Sequence, residues 1–290
     1  MGIEFEKFMN FYPKDFSERS NMTKHILKEY VELLSLSFIS SSQYVSKLSF
    51  IGGTNLRLVK RIDRFSEDLD FDCKNMSHDE FIDMTDKLMK YLEKYGFSVE
   101  AKEKESDKLT AYRRSIKFPE LLYNMGITGH KEERFMLKIE AQDQGLDYKR
   151  VIKPINLNGF NINIPVPPDN ILCAMKLSAM ITRQKGRDFY DSIFLLQQTK
   201  PDFNFLKVKC GIDSFNALEK RLNEVLEKVD LKVKEKDFEH LLFFPNGASS
   251  IHGIKEFIHA LNKKKPLDFS EEENQNIVGE ETVKYQKHNL

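Results

Sequence analysis

The stretch "IGGTNLRLVKRIDRFSEDLDFDCK", residues 51–74, decides the fold. A glycine pair and a run with several basic residues lead to three aspartates at alternate positions, Asp68, Asp70 and Asp72. Side chains alternate between the faces of a strand, so these carboxylates share one face and the leucine and phenylalanine between them face a core. Taken alone, the pattern is typical of a surface strand with a solvated acidic face. The rest of the chain decides whether it is a metal site.

The aspartate strand suits magnesium better than calcium. Two carboxylates on one rigid strand can hold Mg²⁺, which prefers oxygen ligands and keeps waters and substrate phosphates in its shell. A calcium-binding loop would need glycine at Cys73 and glutamate at Asp79, and apolar residues would not alternate with its ligands. The pattern therefore suits Mg²⁺ bound by two of these carboxylates, and Asp72, at the far end of the strand, is expected to be solvated.

The glycine pair predicts a phosphate site beside those carboxylates. Gly52, Gly53 and Thr54 end a predicted strand and open a helix, where backbone N–H groups and the helix dipole favour an anion. Neither a P-loop motif nor a G-x-G-x-x-G motif occurs in the chain. A lone turn of this kind is weak evidence. Only thirteen residues separate it from Asp68, so we interpret the two features together.

Composition favours a cytoplasmic protein of two folded units. The 290 residues are 40% hydrophobic and 31% charged, and no apolar run reaches the roughly 18 residues of a membrane span. The acidic N-terminus does not resemble a secretory signal, and three scattered cysteines predict neither disulfides nor a zinc site. The formal net charge is zero, so we expect no membrane partner, and contact with nucleic acid would require a local basic patch.

The pattern of elements predicts an α+β unit followed by a helical bundle. Helices are expected at 23–40, 54–62 and 77–96, the last with a Ser77–Glu80 capping box, and strands at 47–51, 67–73 and in four segments between 97 and 166. After the prolines at 165–168 the periodicity becomes helical. We predict three parts: an α+β domain at 1–166, a helical bundle at 167–265 and a polar tail at 266–290.

The order of these motifs resembles a known superfamily. Gly-Gly-Thr, a short helix and "RFSEDLDFD" are similar to the core of the DNA polymerase β-like nucleotidyltransferases, in which a mixed sheet is flanked by helices. More narrowly, "GGTNLRL" with "RFSEDLDF" resembles the AbiEii/AbiGii toxin family of abortive-infection and toxin–antitoxin systems. "MLKIEAQ" and "KLSAMITRQKGRDFYDSIFLL" resemble later motifs of that family in the same order, so the resemblance covers roughly residues 30 to 200.

The resemblance implies roles for individual residues. Gly53 and Thr54 would hold a nucleoside triphosphate, and Asp68 and Asp70 would bind two Mg²⁺ ions. Glu140, on a neighbouring strand, would be the third carboxylate, although related enzymes more often have aspartate there. The predicted catalytic residues are Asp68, Asp70, Glu140, Lys176 and Asp191, and the predicted metal ligands are the first three. The predicted nucleotide-binding residues are Gly52, Gly53, Thr54, Arg57, Ser66, Lys176, Arg183 and Asp188.

Several of these residues could instead have a structural role that involves no ligand. Lys176 is expected to contact the triphosphate, whereas Arg183 and Asp188 could equally form an ion pair or a cap at a helix junction. Arg57 could reach a phosphate or could pair with an acidic neighbour. Ser66 could orient Asp68 or could be a residue of the strand edge.

The predicted function is an Mg²⁺-dependent nucleotidyltransferase. It would move an NMP from an NTP to a hydroxyl of RNA, such as a tRNA, or of a protein, and it could be a toxin with a cognate antitoxin as its partner. The alternative is a regulatory protein that binds NTP without turnover, for which two carboxylates suffice. An interaction module with an accidental acidic strand is disfavoured, because three motifs occur in one order.

Overall fold

The computed structural model describes residues 2–14, 20–102 and 111–263. The predicted polar tail, 266–290, lies outside these ranges. Within them, no helix is both long and apolar enough to cross a membrane.

The strands form one sheet and one hairpin. The sheet has five strands in the order β1-β2-β5-β4-β3. They are β1 (Leu48–Ile51), β2 (Asp68–Cys73), β3 (Glu100–Lys102), β4 (Tyr112–Lys117) and β5 (Met136–Gln142). β6 (Val151–Leu157) and β7 (Phe160–Val166) form the hairpin, which packs on the β1 side of the sheet.

The helices surround the sheet and then continue alone to the end of the described chain. The first five are α1 (Gly2–Met9), α2 (Ser20–Ser40), α3 (Gly52–Leu58), α4 (His78–Lys94) and α5 (Leu121–Asn124). After the hairpin come α6 (Asp169–Thr182), α7 (Gly186–Leu196), α8 (Phe203–Cys210), α9 (Phe215–Leu226), α10 (Leu231–Phe238) and α11 (Ile254–Lys263). Short 3₁₀ helices occupy Gln43–Lys47, Glu239–Leu241 and Pro245–Gly253. The α+β class and the helical C-terminal part are confirmed.

The sheet is mixed, as predicted. β2 runs parallel to β5, and the remaining neighbours are antiparallel. β2 lies between β1 and β5, so its backbone is paired on both sides. Leu69 and Phe71 are 0% and 2% exposed, whereas Asp68 and Asp70 keep part of their surface open. This alternation fixes which face of the sheet carries the carboxylates.

Helix α4 follows its sequence signals closely. The Ser77 hydroxyl accepts a hydrogen bond from the Glu80 N–H, and the Glu80 carboxylate accepts one from the Ser77 N–H. Just beyond the C-terminus of the helix, Gly96 has a φ of 85°, a conformation that glycine adopts without strain. The predicted capping box and stop are therefore confirmed, and the buried face of α4 covers the sheet through its apolar residues, Phe81, Met84, Leu88 and Leu92.

The buried apolar residues form two hydrophobic cores, one for each half of the chain, except that two residues of the first half belong to the second core. The first core joins α1, α2, α4, the sheet and the hairpin, and the second joins helices α6 to α11. Leu56 and Ile62 come from the first half but are buried in the second core. The division at residue 166 stays a prediction, since the α3 region belongs to both parts.

The C-terminal part also holds the segment that leads into β2. The Phe65 N–H donates to the Leu241 carbonyl at 2.8 Å, and the Phe243 N–H donates to the Asp63 carbonyl at 3.0 Å. Between these bonds, Arg64 and Leu242 form an antiparallel bridge. Residues 63–65 and 241–243 thus form a backbone clamp, a name used below for this pair of segments.

Candidate active site

The glycine turn is shaped by the side chains that approach it. Gly52 has a φ of 81°, and a Cβ on it would lie 2.2 Å from Oδ2 of Asp70. A Cβ on Gly53 would lie 2.6 Å from Oγ of Ser66 and 2.8 Å from Nη2 of Arg64. Each distance is shorter than any real Cβ contact, so both positions need glycine. The turn therefore places backbone directly against a carboxylate and a guanidinium.

Helix α3 is fastened to the strands by its first polar side chains. The Thr54 hydroxyl donates to the Asp68 carbonyl at 2.6 Å, and the Asn55 amide donates to the Phe50 carbonyl at 2.7 Å. Thr54 and Asn55 are fully buried. These bonds fix the turn relative to β2. Because the Thr54 side chain is occupied here, any contact with a nucleotide would have to involve its backbone.

Three carboxylates come together across β2 and β5. The parallel register sets Asp70 opposite Glu140 and Asp68 opposite Lys138. Adjacent strands lie about 4.8 Å apart, so side chains on the shared face are neighbours. The predicted set of Asp68, Asp70 and Glu140 therefore lies on one small area of the sheet, with the glycine turn beside it.

The charge at this area is poorly neutralised around Asp70. Burial raises the pKa of Asp70 to about 6, the Lys176 ammonium opposes the rise, and the Asp68 and Glu140 carboxylates add to it. A buried carboxylate crowded by two others is stabilised by a cation, and carboxylate oxygens are the ligands of hard divalent ions. Asp68 and Asp70 thus fit a divalent metal as they stand.

Glu140 is paired with an arginine and does not form a three-carboxylate metal site with Asp68 and Asp70. Its Oε1 lies 2.7 Å from Nε of Arg113 and its Oε2 accepts a hydrogen bond of 3.0 Å from Nη2, a bidentate ion pair. In residues 2–14, 20–102 and 111–263, no group of three acidic, histidine or cysteine side chains is arranged to hold a metal. Lys138 lies 3.8 Å from Oδ1 of Asp68. Cations of the protein therefore stand close to two of the three carboxylates.

Lys176 reaches the site from helix α6 through a buried ion-pair network. Its Nζ lies 2.8 Å from Oδ2 of Asp191, whose two oxygens accept hydrogen bonds of 2.7 Å from Nε and Nη2 of Arg64. Asp191 and Arg64 are fully buried. Burial alone would raise the pKa of Asp191, but Arg64 and Lys176 together lower it to about 2. Asp191 therefore positions two cations, one beneath Gly53 and one whose charge opposes the rise in the pKa of Asp70.

Two adjoining cavities open over the carboxylates. The first has a volume of about 350 Å³, within the roughly 300–1,000 Å³ of ligand pockets. Its walls are the glycine turn, β2, β5 and one face of α6. The second, of about 530 Å³, lies toward β3 and β4. Both contain Asp68, Asp70, Glu140, Arg183 and Arg187. The carboxylates thus lie where the cavities meet.

Most predicted site residues line the first cavity. They are Gly52, Gly53, Ser66, Asp68, Asp70, Glu140, Lys176 and Arg183. Thr54, Arg57, Asp188 and Asp191 do not. Asp191 is completely buried and in bidentate contact with Arg64, an arrangement that suits a positioning residue, and its direct catalytic role stays a prediction.

Arg57 and Asp188 have structural partners. Nε of Arg57 lies 2.6 Å from Oε2 of Glu29, and the guanidinium carbon lies 4.5 Å from the Phe243 ring centroid. Asp188 is fully buried and accepts hydrogen bonds from the Arg183 side chain and the Lys185 N–H. Both charges are already paired inside the fold, and nucleotide binding by Arg57 and Asp188 stays a prediction.

The prediction for Asp72 is corrected, since it is not solvated. It is 2% exposed and accepts hydrogen bonds from the Gln144 N–H, at 2.9 Å, and from the Tyr148 hydroxyl. Burial raises its pKa above the ordinary value, while the two hydrogen bonds lower it. Asp72 therefore fastens the loop that follows β5.

Sequence reasoning missed part of both cavity walls. Met175, Ser178, Ala179 and Thr182 project from the same face of α6 as Lys176. Each of these four residues lies three or four positions from two of the others, a helical spacing that was visible in the sequence and could have identified them. The role of Lys138 depends on the pairing of β4, β5 and β2, which no short-range signal encodes. The contact of Arg113 with Glu140 likewise depends on the pairing of β4 with β5.

The chain matches a family model described as "Nucleotidyl transferase AbiEii toxin, Type IV TA system" over residues 35–242. It belongs to the AbiEii nucleotidyltransferase toxin family. The match includes the glycine turn, the carboxylates and Lys176. The protein is therefore a nucleotidyltransferase, and the resemblance suggested by the sequence motifs is confirmed.

Solved structures that are similar to this AbiEii-family protein share little sequence with it. MenT4, described as nucleotidyltransferase toxin Rv2826c from Mycobacterium tuberculosis H37Rv, has a TM-score of 0.54 and 17% identity, covering 89% of this chain and 90% of its own. JHP933 from Helicobacter pylori has a TM-score of 0.49 and 16% identity, with coverages of 82% and 92%. A putative nucleotidyltransferase from H. pylori has 0.49 and 18%, with coverages of 81% and 95%. No curated protein shows significant sequence similarity to the chain.

Proposed function

We propose that the protein transfers an NMP from an NTP to a hydroxyl of an RNA, with divalent metal held by Asp68, Asp70 and Glu140. The observation that carries the proposal is the meeting of three carboxylates from two parallel strands beside the Gly52–Gly53 turn. Nucleotidyltransferases of this kind generally use an NTP and a divalent metal ion. The chemistry of the donor set, all oxygen, agrees with Mg²⁺.

The first cavity fits the triphosphate. The glycine turn offers backbone N–H groups, and Lys176 offers a compact ammonium that Asp191 holds in place. Arg183 lines the same cavity and can contact phosphate oxygens. In the proposed reaction the acceptor oxygen attacks the α-phosphorus, the bond to the β-phosphate oxygen breaks, pyrophosphate leaves and the hydroxyl proton is released. Bound metal would activate that hydroxyl and stabilise the charge on the leaving group.

The second cavity favours RNA over a protein as the acceptor. Six basic side chains line it against the three carboxylates: Lys102, Arg113, Lys138, Arg183, Lys185 and Arg187. The chain as a whole has a formal charge of zero, so this is a local concentration of positive charge. Phosphodiester strands bind to such patches through their backbones. A tRNA end would bring both the phosphates and a free hydroxyl.

The direct test is transfer of label from each α-labelled NTP to macromolecules. The wild type would be incubated with Mg²⁺ and total bacterial RNA or lysate beside Asp68→Ala/Asp70→Ala. We expect label from a preferred NTP to enter RNase-sensitive material, with a loss of about a thousandfold or more in the variant. Asp79→Ala, which removes a fully exposed aspartate, is the matched control.

Each other outcome of this test contradicts a defined part of the proposal. Label in protease-sensitive material would replace RNA by a protein acceptor. NTP binding without transfer would favour the regulatory alternative. Transfer that survives the double substitution would refute the assigned carboxylates.

We further propose that the protein acts as a toxin restrained by a cognate antitoxin. The family description, which names a toxin of a type IV toxin–antitoxin system, supports this role. Induced expression should stop growth of a bacterial host, and the Asp68→Ala/Asp70→Ala variant, expressed to the same level, should not. Equal growth arrest by both would separate toxicity from nucleotide transfer.

A further inference from the structure

The sheet register places Arg113 in line with the carboxylates. Asp70 on β2 is opposite Glu140 on β5, and Glu140 is opposite Arg113 on β4. The next row across the same strands is Asp68, Lys138 and Ser115. Directly opposite residues of an antiparallel pair have Cβ atoms about 4.5–5.5 Å apart. The contact of Arg113 with Glu140 is therefore built into the strand pairing.

Arg113 occupies both oxygens of Glu140. The two contacts, at 2.7 and 3.0 Å, use the planar fork of the guanidinium. These two contacts hold the Glu140 carboxylate at Arg113. This arrangement accounts for the lack of a ready three-ligand metal group in the described parts of the chain.

The Arg113–Glu140 pair is partly exposed, so Arg113 can exchange Glu140 for another anion. The side chains of Arg113 and Glu140 are 37% and 26% exposed, whereas those of Arg64 and Asp191 are both 0% exposed. Partly exposed ion pairs are weak because water and salt compete with them, while a buried pair is costly to break. Arg113 also faces the basic cavity proposed for the acceptor. A phosphate bound there would compete directly for its guanidinium.

We propose that Arg113 is a positioning residue that withholds Glu140 from the metal site until an acceptor phosphate draws the guanidinium away. Glu140 then turns toward Asp68 and Asp70 and completes the carboxylate set. Metal affinity thereby depends on the acceptor, and a site holding only nucleotide stays one ligand short. This inference rests on the proposed function, because it takes the second cavity to be the acceptor site.

The first arm of the test measures metal binding alone. Mn²⁺ would be titrated into nucleotide-free protein and followed by electron paramagnetic resonance. Arg113→Gln should bind Mn²⁺ about two- to fivefold more tightly than the wild type, since a weak competing pair is removed. Glu140→Gln should bind no more tightly than the wild type. Arg221→Gln, which breaks an exposed arginine–glutamate pair on α9, is the matched control and should be unchanged.

The second arm adds a short single-stranded oligoribonucleotide. It should tighten Mn²⁺ binding to the wild type and leave Arg113→Gln, already tight, without further gain. Because Glu140→Gln lacks the carboxylate, any increase in Mn²⁺ binding that the oligonucleotide causes in this variant comes from Mn²⁺ bound to the oligonucleotide itself. Arg113→Lys keeps the charge but loses the fork, and it should bind Mn²⁺ with an affinity between those of the wild type and Arg113→Gln.

Two results would overturn the inference. One is Arg113→Gln binding Mn²⁺ no more tightly than the wild type and Arg221→Gln. The other is an equal effect of the oligonucleotide on the wild type and on Arg113→Gln. These outcomes are separate from failure of the proposed function: label entering protein would refute the RNA acceptor and leave the first arm unaffected.

Discussion

Replacing Asp70 by asparagine should stabilise the metal-free protein at neutral pH. The fold raises the pKa of this carboxyl from 3.8 to about 6, with burial as the largest cause. The folded state therefore holds the proton more tightly than the unfolded chain, and ionisation of Asp70 costs the folded state free energy. Asparagine has nearly the same shape and does not ionise.

The expected gain follows from the two pKa values. Each pH unit of difference corresponds to about 1.4 kcal/mol, so Asp70→Asn should unfold at pH 7 with a free energy about 3 kcal/mol higher than that of the wild type. The penalty for ionised Asp70 develops as pH rises from about 4 to 6. The difference in unfolding free energy between Asp70→Asn and the wild type should therefore reach its full value above about pH 6 and fall to zero toward about pH 4.

Urea unfolding in EDTA from about pH 4 to about pH 8, a range that covers this window, would measure the difference in unfolding free energy. Added Mg²⁺ should narrow it, because metal favours the ionised carboxylate. Asp79→Asn makes the same chemical change at a fully exposed position and should show no such pH dependence. The reasoning would be refuted if Asp70→Asn were no more stable than the wild type at pH 7, or if its advantage did not shrink on acidification.

Three further substitutions test the parts around this carboxylate. Gly52→Ala places a Cβ 2.2 Å from an oxygen of Asp70 at a residue with a positive φ. The free energy of unfolding should fall by about 2 kcal/mol or more in thermal denaturation. An unchanged melting temperature would contradict the packing described. Asp191→Asn leaves buried Arg64 and Lys176 with a neutral partner and should cost about 3 kcal/mol or more in urea unfolding; a loss below 1 kcal/mol, on the order of an exposed pair, would argue against the network. Lys176→Met leaves the bidentate pair intact, so stability should fall by much less than in the aspartate variant, while the affinity for a fluorescent NTP should fall about tenfold or more; an unchanged affinity would remove this lysine from the triphosphate site.

The sequence predicted local features well because their causes are local. The alternation of acidic and apolar residues predicted β2, and a capping box followed by a glycine predicted both ends of α4. The glycine pair marked the turn because only glycine tolerates the approach of Asp70 there. In each of these cases, the residues that determine the structure are near one another in the chain.

Burial and pairing at a distance were not predictable in the same way. Asp188 and Asp191 look alike in "GRDFYD", yet one accepts from Arg183, five residues away, and the other from Arg64, far earlier in the chain. Arg57 lies before the aspartate strand in the sequence and is predicted to reach a phosphate or to pair with an acidic neighbour, whereas its partner, Glu29, comes from another helix. A charged residue in a sequence does not reveal whether its charge is already balanced.

The backbone clamp bears on how the chain can be divided. Cutting at the prolines near residue 166 would remove Lys176 from the site, and ending the chain before residue 241 would take away the backbone partners of residues 63–65. A fragment that holds all the carboxylates would then carry Arg64 on a segment without its pairing strand. The unit to transplant, to split for complementation or to exchange with a relative is therefore the whole run from the first helix past the clamp.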